Sequence, residues 1–147
     1  MANTADLVSA LSKADVATDP SESARLQFSV LVPNLKGLRA FFQCRAAMNE
    51  IAVFTSASEG FSRANANCSV QESITRIRQV TNVARQEGLK VRGYVSCVVQ
   101  CPYDGLIDPP AVCRVSEQLM EMGCYEVSLG DTIGTGTPSK HELLGES

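Results

Sequence analysis

The chain has 147 residues and a formal net charge of −3, with 44% hydrophobic and 20% charged residues. That is enough chain for one domain with a real core, in an ordinary globular composition. No basic cluster interleaved with aromatics occurs, which argues against nucleic-acid binding. No apolar run approaches the ~20 residues of a membrane span.

Residues 1–19 show neither a basic n-region nor a long apolar core, and they carry acids with no arginine before Arg25. They read as neither a secretory signal nor a transit peptide. Leu7, Val8 and Leu11 share one face of a helix expected over 4–14. A polar linker with Pro20 leads to a strand at 26–32 (LQFSVLV), stopped by Pro33 and Asn34. A helix follows over 35–48, with Leu38, Phe41, Phe42 and Arg45 about its apolar face. Then comes a strand at 50–54 (EIAVF) and a loop at 55–67 rich in serine, alanine and asparagine, with Ser58-Glu59 directly after the strand. Ser69 and Glu72 have capping-box spacing. Ile74, Ile77, Val80 and Ala84 then repeat at helical intervals up to Gly88.

A strand is expected at 89–96 with Gly93 inside it, a sign of a bulge or a close backbone approach. A loop covers 97–108. Asp108 followed by Pro109 and Pro110 predicts an N-cap and first turn, and Val112, Val115, Leu119 and Met122 line that helix's buried face. Gly123 ends it before a last strand at 125–129. Strands alternating with amphipathic helices predict parallel βαβ units, and near-continuous apolar strands predict cover on both faces. Pattern alone leaves open a doubly wound sheet or part of a (β/α)8 barrel. There is no GxGxxG after the first strand and no Walker A motif, so nucleotide-binding versions lose weight.

The six cysteines match no zinc spacing, and His141 is the only histidine. Reduced thiols in an intracellular compartment are the reading. Cys97 and Cys101 are a redox pair or, with more weight, small apolar residues near a strand end. The last strand runs into Gly130-Asp131-Thr132-Ile133-Gly134-Thr135-Gly136. A strand that delivers an acid and hydroxyls at its carboxyl end is how parallel α/β folds build active sites. The alternative for Asp131 is a cap on the neighbouring glycine backbone.

The runs VPNLKG at 32–37, FTSASEGF at 54–61, NANCS at 65–69, VRGYVSCVVQC at 91–101 followed by Pro102-Tyr103, and MGCYEVSLGDTIGTGTP at 122–138 together resemble the hydroxymethylglutaryl-CoA (HMG-CoA) lyases, metal-dependent barrel enzymes. The resemblance covers roughly residues 26–138 and implies about half of a (β/α)8 barrel, since a full one needs about 250 residues. It implies cleavage of HMG-CoA to acetoacetate and acetyl-CoA, in leucine degradation and ketone-body formation. That chemistry takes a divalent cation, Mg2+ or Mn2+, with a base and an acid for proton transfer. Carried over, the match makes Asp131 catalytic and Ser128 and Thr132 substrate-side residues. Asn34, Ser58 and Glu59 are substrate-binding candidates at the ends of earlier strands. Lys36 there is equally the solvent-facing start of a helix.

The resemblance also marks absences. The family's arginine–aspartate pair on its first strand has no match here. Its His-x-His motif, its mobile-loop cysteine and its asparagine ligand lie beyond the position of Pro138. The expectation is a partial barrel lyase domain over 1–138 and a polar tail outside the family pattern over 139–147, with His141 solvent-exposed. It includes no metal ligand in this chain and no catalysis by the chain alone. The partner would be an acyl-CoA substrate, with homo-oligomers or pairing with full-length subunits through open sheet edges. The compartment implied is the mitochondrial matrix or the cytoplasm. Two further readings are a truncated, non-catalytic acyl-CoA-binding form and a related synthase joining acetyl-CoA to a 2-oxo acid; the RGYVSC run at 92–97 argues against the synthase.

Overall fold

The four predicted strand runs form one parallel sheet. The computed structural model describes Asp6, residues 28–44 and residues 48–137. In chain order the elements are β1 (Ser29–Leu31), α1 (Leu35–Cys44), β2 (Glu50–Ser56), α2 (Glu59–Ala66), α3 (Val70–Gln86) and β3 (Lys90–Ser96). A small hairpin, β4 (Gln100–Cys101) with β5 (Gly105–Leu106), precedes α4 (Pro109–Glu121) and β6 (Glu126–Gly130). The sheet order is β1-β2-β3-β6, and every pairing in it is parallel. Order follows sequence without reversal. A doubly wound sheet reverses at its switch point, whereas consecutive barrel strands do not.

Register sorts the side chains onto two faces, because neighbours along a strand point opposite ways. Ile51 pairs with Val91, Val53 with Gly93 and Thr55 with Val95, and Gly93 pairs in turn with Val127. Ile51, Val53, Val91 and Val95 are fully buried in the core with Ile74, Ile77, Val80 and Ala84 of α3 and Val112, Val115 and Leu119 of α4. Gly93 serves that packing. A Cβ there would lie 3.0 Å from Leu119 Cδ1 and 3.5 Å from Cys124 Sγ, so the glycine marks a close helix approach within an unbroken ladder.

The other face carries Ala52, Phe54 and Ser56, then Arg92, Tyr94 and Ser96, then Glu126, Ser128 and Gly130. It is only partly covered, with Tyr94 38% and Leu31 48% exposed, so cover on both faces is not complete. At the amino end of the strands, Arg92 pairs with Glu126 at 3.0 Å and Glu50 at 3.8 Å. The Tyr125 hydroxyl accepts from Arg92 Nη2 at 3.0 Å and donates to Glu50 Oε2 at 2.8 Å. Glu50 is buried, and these partners compensate its charge.

The structure corrects the sequence reading at several points. Residues 55–67 are not a loop: β2 runs on to Ser56, and α2 occupies Glu59–Ala66. Ser58 caps α2 by accepting the Phe61 N–H, and Asn67 closes it in the left-handed conformation. The 97–108 loop holds the β4–β5 hairpin. Asp108 is the N-cap residue of α4 but makes no side-chain capping bond. Prolines at the first two helical positions remove the N–H donors there, and the Ala111 N–H goes to the Asp108 carbonyl. The predicted capping box at Ser69 and Glu72 is present in full. The helix at 4–14, apart from helical Asp6, lies outside the described residues, as do Arg45 and His141. Among the described residues no helix is long and apolar enough to cross a membrane.

Leu119 is fully buried against Gly93. Leu119→Ala should cost about 2–5 kcal/mol in denaturant unfolding through the cavity it leaves. Met120→Ala, at a 50% exposed site on α4, should stay within about 0.5 kcal/mol.

Candidate active site

The carboxyl ends of the strands are stitched together by backbone bonds that continue beyond the ladder. Val32 donates its N–H to Ala52 O at 2.8 Å, Ala57 to Ser96 O at 3.1 Å, and Val98 to Gly130 O at 3.3 Å. These bonds gather the residues that follow each strand onto one rim. Ser56 and Ser96 pair in register there, and Ser96 pairs with Gly130. Ser128 pairs with Tyr94 one step back and shares the face that would line a barrel.

Asp131 is half-buried at the start of the glycine loop. Its Oδ2 accepts the Gly136 N–H at 2.6 Å, and its carbonyl accepts the Gly134 N–H at 3.3 Å. Gly134 needs its positive φ of 68° for this turn. The carboxylate therefore does cap the glycine backbone, and the same bond fixes where it sits on the rim. Thr132 is exposed, and its Oγ1 accepts the Cys97 N–H at 2.8 Å. Cys97 is buried with φ at 59°, a conformation a β-substituted residue adopts only when its surroundings hold it. Burial is the chief reason its thiol is pushed up.

The other candidates divide. Ser58 is buried, with its N–H on Ser56 Oγ at 2.9 Å and its hydroxyl on Asp104 Oδ2 at 2.6 Å. Glu59 is exposed; its Oε1 accepts the Val70 N–H at 3.2 Å and its Oε2 lies 3.8 Å from Arg63. Asn34 Oδ1 accepts the Gly37 N–H at 2.9 Å at the start of α1. Asn34 also borders a cavity of about 530 Å3 between the carboxyl ends of β1 and β2 and helices α2 and α3, which Pro33, Phe54, Asn65 and Arg76 also line. Lys36 is exposed on α1. The structure thus brings Ser128, Asp131 and Thr132 to one rim, places Asn34 at an adjoining cleft, and engages Ser58 and Glu59 with neighbouring backbone and side chains. The sequence reading missed Ser56, Ser96 and Asp104. The two serines are the last inward residues of their strands; alternation along the 89–96 run points to Ser96, whereas Ser56 lay beyond the strand end expected at residue 54. Asp104 carries no such signal, because only the folded hairpin brings it to Ser58.

Among the described residues no group of three or more His, Cys, Asp or Glu side chains gathers as a metal site requires. Asp131 with hydroxyls around it is too small a donor set for a complete divalent-cation site.

A parallel sheet in consecutive order, with hydroxyls and a carboxylate at its carboxyl end, is the arrangement of part of a (β/α) barrel, with the candidate site on the face such barrels use. The profile of the HMGL-like family matches residues 10–145. A cytoplasmic 3-hydroxy-3-methylglutaryl-CoA lyase from Danio rerio is 53% identical over 125 residues, 84% of this chain and 37% of that protein. The crystal structure of the HMG-CoA lyase from Brucella melitensis superposes with a TM-score of 0.79 at 55% identity, covering 82% of this chain and 42% of that one. An HMG-CoA lyase from Acinetobacter baumannii in complex with coenzyme A and 3-methylmalate gives a TM-score of 0.74 at 25% identity, covering 81% and 38%. The chain belongs to the HMGL-like family, on the HMG-CoA lyase branch of the (β/α)8 barrels, and its fold is about half of such a barrel. It spans about two-fifths of the length of the relatives it matches.

Burial orders the thiols. Cys44 and Cys113 are half-exposed, while Cys97 and Cys124 are buried, and burial pushes Cys124 up to about 11. At pH 8 only about one Cys124 in a thousand is then thiolate, the reactive form. Timed alkylation read by peptide mass spectrometry should label Cys44 and Cys113 first and Cys124 last.

Proposed function

We propose that these residues are part of a lyase that cleaves 3-hydroxy-3-methylglutaryl-CoA to acetoacetate and acetyl-CoA. The observation that carries the reading is Asp131, fixed by the Gly136 N–H at the carboxyl end of β6, within a chain of the HMGL-like family. In this reading Asp131 orients the substrate's C3 hydroxyl or moves its proton. Loss of that proton lets the C3–O bond become a carbonyl as the C2–C3 bond breaks. The electron pair passes to the acetyl-CoA enolate, which takes up a proton at C2. Ser128 and Thr132 would hold the substrate on the same rim. Ser58 and Glu59 would contribute through the turn they brace.

The acyl-CoA is the substrate class that fits. The Acinetobacter baumannii lyase holds coenzyme A, and here the cleft beside Asn34 offers carboxamide groups and the Arg76 cation with an apolar wall. HMG-CoA lyases are metal-dependent. Mg2+ or Mn2+ suits an oxygen-rich rim, but the described residues do not supply a full ligand set. We therefore assign no step to the cation and expect the 147-residue chain alone to be inactive. Homo-oligomers, or pairing with full-length subunits, would cover the exposed sheet face. The mitochondrial matrix or the cytoplasm goes with this reading.

In the completed barrel, Asp131→Asn should lower turnover of HMG-CoA by at least ~100-fold, the scale of a positioned proton-transfer group. Near-normal turnover in a coupled acetoacetate assay would remove Asp131 from the mechanism. For the cleft, Asn34→Ala should weaken coenzyme A binding in calorimetry. Unchanged affinity would place the cofactor arm elsewhere.

A further inference from the structure

The hairpin between β3 and α4 is tied to the turn between β2 and α2 by one carboxylate. Asp104 Oδ2 accepts the Ser58 hydroxyl at 2.6 Å and the Gly60 N–H at 2.8 Å. Gly60 has no room for a side chain, since a Cβ would overlap Asp104 Oδ1 and lie 2.9 Å from Tyr103 Cβ. The Ser58 hydroxyl has one hydrogen and two lone pairs. The hydrogen goes to the carboxylate, the stronger acceptor at the shorter distance. One lone pair accepts the Phe61 N–H at 3.0 Å, and Cys101 Sγ sits 2.9 Å away on the remaining side.

The hairpin is held at further points. Tyr103 donates its N–H to Cys101 Sγ at 3.3 Å, Ile107 donates to Val99 O at 3.1 Å, and the Phe61 and Tyr103 rings lie 6.5 Å apart. Its root is Cys97, the residue whose left-handed backbone aims its N–H at Thr132 Oγ1 beside Asp131. A chain of contacts therefore runs from Asp104 through the hairpin to the glycine loop.

We propose that Asp104 is a positioning residue for the rim: through Ser58 and Gly60 it fixes the hairpin so that Cys97 holds Thr132, and with it the Asp131 loop, against the end of β3. The role assigned to the rim rests on the function proposed above; the coupling does not. The hydroxyl of Ser58, then the N–H of Gly60, hold the Asp104 carboxyl below the ordinary carboxylate value. A depressed carboxyl stabilises the docked hairpin above the undocked value of about 3.9, and that stability is lost as pH falls through the lower docked value.

Two NMR readouts test the coupling in the 147-residue chain. The Gly60 amide shift should titrate with a midpoint below the ordinary carboxylate value, and Asp104→Asn should abolish that titration. Hydrogen-exchange protection of the Cys97 amide, corrected for intrinsic pH dependence, should fall roughly tenfold or more in Asp104→Asn, as expected where a local opening becomes easier. A Gly60 titration lost while Cys97 protection stays within about twofold would overturn the proposal, leaving Asp104 a brace of the hairpin alone. Should the variant fail to fold, Cys97 protection in the wild type above and below the Gly60 midpoint gives the same comparison, with the same loss expected. Neither readout uses turnover, so a failed lyase assay bears on the proposed function and leaves this result standing.

Discussion

The seven-residue parallel ladder between β2 and β3, from Glu50 with Lys90 to Ser56 with Ser96, sets the terms for everything else. Side-chain direction alternates along a strand, so this one register decides which residues meet the helices and which meet the barrel side. It places Ile51, Val53, Val91 and Val95 against α3 and α4, and it places Arg92, Tyr94 and Ser96 on the opposite face. A slip of one residue would bring Arg92 into the apolar core and turn Val91 and Val95 out of it. Gly93 secures the register from the helix side, because Leu119 occupies the space a side chain would need.

The same register divides the inward face along its length. At the amino end Glu50, Arg92, Tyr125 and Glu126 form a mutually bonded charged cluster. In a low-dielectric barrel interior such groups are tolerable only when each has partners. At the carboxyl end the inward positions change to small hydroxylic residues and glycine, Ser56, Ser96, Ser128 and Gly130. Small residues leave volume at that end, where the backbone bonds from Ala57, Val98 and Cys97 draw the loops together. The closed amino end and the open carboxyl end suit a barrel that is plugged at one mouth and binds at the other.

The rim is braced rather than merely adjacent to its loops. The β2–α2 turn, the β4–β5 hairpin and the glycine loop are joined through Ser58 with Asp104 and Cys97 with Thr132. Three segments far apart in sequence thus hold one another, and the position of Asp131 on the rim is fixed with them; the proton-transfer role proposed for it would depend on placement at the ångström scale. The exposed sheet face beside Leu31 and Tyr94 is where the remaining length of the matching barrels would lie, given that this chain spans only about two-fifths of them.

Much was legible from residues alone. The 3.6-residue spacing of Ile74, Ile77, Val80 and Ala84 and of Val112, Val115 and Leu119 identified both core helices, because burial of one stripe imposes that period. The capping box at Ser69 could be read because its partners lie three residues apart. Asp131 could be picked out because a carboxylate at the end of an apolar strand is itself a local pattern. Helix α2 was hidden: Gly60, Ser62 and Asn65 are weak helix formers within an eight-residue segment, and the second tie of its cap residue Ser58, to Asp104, lies 46 residues away. The sheet order, the inward pairing of Ser56 with Ser96 and the bonds of Ser58 with Asp104 and of Cys97 with Thr132 were settled only by tertiary structure. The sequence by itself determined the four sheet strands, helices α1, α3 and α4 and their buried stripes, which are short-range consequences of side-chain spacing. Which strands became neighbours, and which polar groups met at the rim, depended on long-range hydrogen bonds that no local window of residues contains.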